Sequence, residues 1–151
     1  MKELILKLKT TANLPISRQT VINIFLTNTI FRTALLGVLK PNDLSIEQFN
    51  VLRILRGQKG NPLNLQDIQE RMVNKMSNTT RLIDKLILKD LVRRTECEKN
   101  RRKIEIYITK DGLKQLENID NLVNDTETQL SSKLNTKELE HLNHLLHKLQ
   151  S

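Results

Sequence analysis

A short stretch of two-residue periodicity lies between long stretches of helical periodicity in this sequence. In RKIEIYIT, at 102–109, three isoleucines alternate with polar or aromatic side chains, and LVRRTE precedes it at 91–96. Because successive side chains of a strand point to opposite faces, this pattern predicts a β-hairpin whose loop lies near Cys97–Arg101. A further short extended piece is predicted at Pro62–Leu65.

The remaining periodic segments have the apolar spacing of amphipathic helices. Helices are predicted at 17–40, 45–56, 64–72, 76–91, 109–134 and 135–150, with Ser17, Ser45, Asn64 and Asn135 as N-caps and Gly57 as a stop. The pairs Ser45/Gln48 and Asn135/Glu138 have the spacing of a capping box. In the segment from residue 76, the side chains expected to face the core are Met76, Thr79, Leu82, Ile83 and Leu86.

Positive charge is concentrated in one part of the chain. The net charge is +8, and residues 75–103 carry ten Lys or Arg against four Asp or Glu. Within 93–103 alone, six side chains are cationic and only Glu96 and Glu98 oppose them. Such clustering is favourable when phosphates neutralise the cations and release counterions, so it favours a polyanionic partner.

Several other classes of protein do not fit the sequence. No phosphate-binding loop, no convincing zinc-ligand spacing and no nucleophile beside a base is recognised, so neither an enzyme nor a bound cofactor is expected. The N-terminus lacks a signal-peptide pattern. The charge-free stretch from Gln19 to Phe31 is shorter than the roughly 20 residues that span a bilayer. We therefore expect a cytoplasmic protein with no membrane partner.

One cysteine and three closely spaced histidines are the candidates for a sensing or metal site. Cys97 is the only cysteine, so it forms no intramolecular disulfide, and we expect an exposed thiol rather than a redox switch. His141, His144 and His147 follow one another at three-residue steps. The first and last diverge by about 120° around a helix, so the three do not share one metal; one adjacent pair could bind a metal with a ligand from another helix. We expect polar surface or dimer-interface histidines rather than a metal site.

The order of the predicted elements is helix, short strand, helix, helix and hairpin, with long helices on both sides. This order is typical of a winged helix-turn-helix flanked by helices, a mainly α-helical fold with a small β-wing. One helix then enters the DNA major groove, and the hairpin reaches the neighbouring backbone or minor groove. The residues expected to contact DNA are Lys75, Ser77, Asn78, Thr80, Arg81, Lys85, Arg94, Lys99, Arg101, Arg102 and Lys103.

Domain organisation follows from the same order. Residues 41–110 are predicted to form the DNA-binding domain, and residues 1–40 and 111–151 a helical dimerisation region. A two-fold dimer would set two recognition helices about 34 Å apart, which suits a pseudo-palindromic site on double-stranded DNA. A winged-helix module that binds proteins or RNA without operator specificity is the alternative left open.

The sequence resembles the MarR family of bacterial transcriptional regulators over about residues 15–150. The resemblance is carried by LSIEQFNVLRIL, LQDIQERM, SNTTRLIDKLILKDLVRR and NRRKIEIYITKDG. In that family TRLIDKL, here Thr80–Leu86, lies on the recognition helix, and a Leu-Val-Arg step follows, here residues 91–93. The wing usually carries Asp-x-Arg, where this chain has Asn100 and Arg102, and a Leu-Thr-x-x-Gly turn comes next, here residues 108–112 with Ile108 first.

The resemblance also implies an assembly and a mode of regulation. Members are homodimers built from their N- and C-terminal helices. Many release DNA when a small, often aromatic, anion binds between the dimer region and the DNA-binding lobe. We therefore expect a homodimeric regulator with a small aromatic or anionic effector. Asn100 in place of the usual aspartate changes the wing's hydrogen bonding but leaves it cationic.

Overall fold

The computed structural model describes residues 14–97 and 100–151, and for Cys97 and residues 100–103 it describes the backbone alone. Within this part there are six α-helices and two strands. They are α1 (Ile16–Leu39), α2 (Ile46–Arg56), α3 (Leu65–Arg71), α4 (Thr79–Ile87), β1 (Val92–Cys97), β2 (Asn100–Ile108), α5 (Lys110–Ser131) and α6 (Thr136–Gln150). The expected class, mainly α with a small β-wing, is confirmed.

The chain divides into two compact units, Met1–Ala34 and Leu35–Ser151. Most of the described part of the first unit, from Ile16 on, belongs to α1. Several of its large apolar side chains are exposed, including Val21, Phe25 and Ile30. The segment Ile16–Asn42 is long and apolar enough to be a candidate membrane span, with a mean hydropathy of 1.5 over an 18-residue window. A single helix of this kind is weak evidence for a membrane, because core helices of soluble proteins meet the same criteria.

Local hydrogen bonds define most helix starts as the sequence predicts. Both capping boxes form, at Ser45/Gln48 and at Asn135/Glu138, and the Asn64 side chain accepts from the backbone N–H of Asp67. The predicted cap at Ser17 is wrong. α1 begins one residue earlier, because the carbonyl of Pro15 already accepts a hydrogen bond from the N–H of Gln19, which leaves Ser17 inside the first turn.

The two strands pair antiparallel in a two-stranded sheet. Val92 lies opposite Ile108, and the register shifts after Glu96. Leu63 forms an isolated antiparallel β-bridge with Ile106 of β2. Its N–H donates to the Ile106 carbonyl at 3.1 Å, and its carbonyl accepts from the Ile106 N–H at 2.9 Å. The predicted extended piece at Pro62–Leu65 is thereby confirmed only at Leu63, because Asn64 already caps α3 and Leu65 begins it. The bridge attaches the hairpin to the start of the helix-turn-helix.

The hydrophobic core lies within the second unit. Helix α2 contributes Val51, Leu52 and Leu55, and buried side chains of α3, α4, both strands and α5 pack into the same cluster. From α5 the buried side chains are Leu116, Ile119 and Val123. The structure describes every residue of α6, and none of their side chains is buried. The core therefore holds the helix-turn-helix, the hairpin and the first half of α5 together.

The segment before α4 differs from its prediction. Thr79, Ile83 and Leu86 are buried as expected, but Met76 is 93% exposed. The helix begins at Thr79 with Asn78 as its N-cap, so Met76 lies in the preceding turn and not on the helical apolar stripe. Lys75 lies in the same turn and not at the start of the helix.

Candidate nucleic-acid interface

Helix α4 presents one face to the core and the other to solvent. Asn78 fixes its start, because the Asn78 side chain accepts a hydrogen bond from the backbone N–H of Arg81 at 3.0 Å. Ile83 and Leu86 anchor the inner face in the core. The helix is amphipathic, so its polar side chains remain available on the outer face.

The outer face of α4 carries two exposed cations next to a groove. Thr80, Arg81 and Lys85, which are among the residues expected to contact DNA, are exposed. Arg81 and Lys85 line one side of an open groove of about 310 Å³, and Glu47 of α2 lines it as well. The opposite side of α4 meets the hairpin, where Thr80 and Arg94 line a smaller cavity of about 140 Å³.

Ser77 is placed differently from the other predicted contacts. Its hydroxyl oxygen is buried and has no hydrogen-bond partner among the described residues. The Ser77 carbonyl accepts a weak bond from the Thr79 hydroxyl at 3.4 Å. A contact from the Ser77 hydroxyl to an external partner therefore requires a change of its rotamer.

The two arginines of β1 lie on opposite faces of the hairpin. The guanidinium of Arg93 stacks over the ring of Tyr107 on β2, 4.1 Å from its centroid. Arg94 points to the other face, where its Nη1 lies 3.7 Å from Oδ1 of Asp84 on α4. Successive side chains of a strand point to opposite faces, and Arg94 is the one next to the recognition helix.

Four of the predicted wing contacts are not described in atomic detail. Lys99 lies outside the described residues, and the side chains of Arg101, Arg102 and Lys103 do as well. The backbone of residues 100–103 continues β2 toward the loop. The backbone that carries Arg101, Arg102 and Lys103 is thus part of β2, in the hairpin that lies beside α4.

Sequence reasoning did not identify two features of this surface. The first is the Asp84–Arg94 ion pair between helix and hairpin, which joins residues ten positions apart across a turn. The second is a cavity of about 510 Å³ whose lining includes Lys40, Asp43, Lys85 and Lys89. Lys89 pairs there with Asp43, with its Nζ 2.9 Å from Oδ2. Neither feature follows from local spacing, because each depends on how distant segments pack.

The side chains considered for metal binding are not gathered into a site. Within the described residues, no group of three or more His, Cys, Asp or Glu is arranged to hold a metal ion. His141, His144 and His147 are exposed on α6. The side chain of Cys97 lies outside the described residues.

Comparisons with known proteins find similarity to transcriptional regulators in part of the chain. Residues 44–104 match the sequence model of the MarR family. The uncharacterized HTH-type transcriptional regulator YfiV of Bacillus subtilis (strain 168) is 35% identical over 72 residues, which is 48% of this chain and 44% of that protein. The match therefore spans less than half the length of this curated relative.

Similarity of fold extends over nearly the whole chain. A cysteine-to-serine variant of Escherichia coli MarR complexed with operator DNA has a TM-score of 0.78 at 24% identity, covering 91% of this chain and 95% of that one. BpsR of Bordetella bronchiseptica, whose DNA binding is regulated by 6-hydroxynicotinic acid, has a TM-score of 0.81 at 20% identity, covering 93% and 99%. Residues 44–104 of this chain are therefore similar in sequence to the MarR family, and the chain shares the fold of solved MarR-family structures.

Proposed function

We propose that this chain is a sequence-specific, DNA-binding transcriptional regulator of MarR type. It acts as a homodimer on a pseudo-palindromic operator and is modulated by a small-molecule effector. We further propose that it works in the cytoplasm and has no catalytic activity, as befits a family of transcriptional regulators.

The single observation that supports DNA binding best is the outer face of α4. Arg81 and Lys85 are exposed there while the inner face is held in the core, and the cationic hairpin stands beside them. A helix fixed in this way inserts into the major groove without a loss of its own order. Arg and Asn side chains suit bidentate contacts to bases, whereas Lys, Ser and Thr more often contact phosphate.

The proposed contacts fall into two groups. Helix α4 and the turn before it contribute Lys75, Ser77, Asn78, Thr80, Arg81 and Lys85, and the hairpin contributes Arg94, Lys99, Arg101, Arg102 and Lys103. The first group would read the major groove, and the second would neutralise phosphates or enter the minor groove.

A second copy of the chain is proposed to cover the exposed apolar side chains of the terminal helices. In the described part of the first unit, Phe25 is 66% exposed and Ile30 53%. In α6, Leu149 is 65% exposed. Apolar surface of this extent on helices with polar opposite faces is typical of an assembly interface. We therefore propose residues 1–40 and 111–151 as the dimerisation region and residues 41–110 as the DNA-binding domain.

The effector is proposed to bind in the cavity of about 510 Å³ beside α4. Its volume lies in the range of small-ligand sites, and its lining combines Leu36, Leu44 and Leu88 with three lysines. This mixture suits a small aromatic anion. Lys85 lines this cavity and also the DNA-facing groove, so an anion bound there would compete with phosphate for the same cation.

DNA binding is tested by titrating random duplex DNA at two salt concentrations and then selecting bound duplexes from a random pool. The proposal expects affinity that falls steeply with salt and a two-fold symmetric consensus. A flat salt response would instead favour a protein-interaction module. Tighter binding to RNA than to duplex DNA would favour an RNA-binding module.

Effector control is tested by measuring operator affinity with and without 6-hydroxynicotinic acid as the probe. Linkage requires that a ligand which lowers DNA affinity by some factor has its own affinity lowered by DNA by the same factor. Binding of the probe without reciprocal coupling to DNA would remove this cavity as the regulatory site.

A further inference from the structure

Two large apolar side chains project into solvent from the connection between α3 and α4. Val73 is 90% exposed and Met76 is 93% exposed. The nearest buried residues before and after them in sequence are Met72, at 2%, and Thr79, at 4%. Single exposed apolar residues are common on protein surfaces, so exposure alone carries no conclusion. What supports an inference is their position at the leading end of the proposed recognition helix.

The backbone of this connection is held by specific hydrogen bonds. The N–H of Val73 donates to the side-chain oxygen of Asn50 on α2 at 2.9 Å. The N–H of Met76 donates to the side-chain oxygen of Asn74 at 3.1 Å, and the N–H of Ser77 donates to the Asn74 carbonyl at 3.2 Å. The exposed positions of Val73 and Met76 are therefore built into the turn, and both side chains are presented outward without ordering a loose loop.

The polar neighbours of these two residues suit a nucleic-acid groove and not a protein core. Lys75 lies between them in sequence, and Arg81 and Lys85 are exposed on the helix that follows. In the major groove, the apolar group that a base edge offers is the C5-methyl of thymine. Methionine is unbranched and polarisable, so it adapts well to an irregular apolar surface.

We propose that Met76 and Val73 recognise thymine methyl groups in the major groove at the edge of each half-site. This inference rests on the proposed function and adds a specificity determinant to it. The cations of α4 and the hairpin supply salt-dependent affinity, whereas these two side chains discriminate thymine from cytosine without a hydrogen bond. The same contact distinguishes DNA from RNA, since uracil lacks the methyl group.

The test replaces thymines of the selected operator with deoxyuridine, one position at a time. This change removes a methyl group and leaves the Watson–Crick hydrogen bonds intact. Removing one buried methyl group is expected to weaken wild-type binding about three- to fivefold at one or two positions in each half-site. Met76→Ala and Val73→Ala should each bind the thymine operator more weakly by a similar factor, and each should lose the response to deoxyuridine at one position.

Leu65→Ala is the matched control. Leu65 is another exposed apolar side chain, at 37%, but it lies at the start of α3 and is not among the proposed DNA or effector contacts, so this variant should keep the wild-type deoxyuridine response. The slope of log affinity against log salt should stay at the wild-type value in Met76→Ala and Val73→Ala, because neither change removes a phosphate contact.

Two results would overturn the inference while leaving the proposed function standing. One is a wild-type protein that binds every deoxyuridine operator as tightly as the thymine operator. The other is full deoxyuridine sensitivity in both alanine variants. If the selection yields no sequence preference for duplex DNA, the proposed function itself fails, and this inference fails with it.

Discussion

The strongest stability prediction concerns Gly112 in the first turn of α5. A Cβ atom placed there would overlap the carbonyl oxygen of Leu91 and lie 2.8 Å from Cγ1 of Ile108. The Leu91 peptide cannot move aside easily. Its carbonyl accepts from the N–H of Thr109 at 3.1 Å, and its N–H donates to the carbonyl of Leu86 at 3.0 Å. Gly112→Ala should therefore destabilise the joint between α4, β1 and α5.

The magnitude follows from two opposing effects. Overpacking of a well-filled site costs typically 1–3 kcal/mol, and a clash with pinned backbone belongs at the upper end of that range. Replacing glycine by alanine inside a helix raises the free energy of unfolding by up to about 1 kcal/mol through helix propensity. The expected net loss in free energy of unfolding is about 2 kcal/mol, which for a chain of this size lowers the midpoint of thermal unfolding by about 4–8 °C.

The same substitution at Gly37 is the matched control. Gly37 is exposed near the end of α1, and a Cβ there meets nothing within 4 Å among the described residues. Gly37→Ala should raise the free energy of unfolding by about 0.5–1 kcal/mol through helix propensity alone. Urea unfolding followed by circular dichroism at a fixed protein concentration measures both variants. A Gly112→Ala protein at least as stable as wild type would refute the close approach of α5 to Leu91.

Three further predictions address the caps, the wing and the assembly. Asn78→Ala should lower the free energy of unfolding by about 1 kcal/mol, since it removes the cap of α4, whereas Thr80→Ala should change it by less than about 0.5 kcal/mol, as urea unfolding will report. Arg102→Ala should weaken binding similarly on specific and random duplexes and reduce the salt slope by about one unit; unchanged affinity in low salt would exclude a phosphate contact. Truncation after Leu134 removes α6 and should disrupt the dimer in sedimentation, so a monodisperse, DNA-binding dimer without α6 would contradict the proposed interface.

Interactions between residues close in sequence were predictable from the sequence. The capping boxes at Ser45/Gln48 and Asn135/Glu138 form because both partners lie three residues apart in any helix start. The hairpin follows from two-residue alternation, which has the same meaning wherever the strand lies. The MarR-like order of elements and the cationic segment at 75–103 likewise needed no knowledge of packing.

The position of Met76 shows where this reasoning stops. Its spacing to Thr79 and Ile83 fits a helical apolar stripe, and sequence periodicity alone placed it in the core. Asn78 instead caps the helix two residues later, and the side chain of Asn74 bonds the N–H of Met76 within a separate turn. A segment of this kind can form either helix or turn hydrogen bonds, and tertiary contacts decide between them. Here the turn is stabilised by the Asn50 side chain, which accepts a hydrogen bond from the N–H of Val73.

Contacts between distant segments required the tertiary structure for the same reason. The ion pairs Arg56–Asp120 and Arg94–Asp84 and the cavity beside Lys85 join residues whose separation in sequence carries no geometric information. Periodicity and capping act over a few bonds, so composition and spacing specified the class of the chain, its helices and its charged surface. Packing of the helices on one core then determined which of those side chains contact one another, because only the folded backbone brings residues distant in sequence close together.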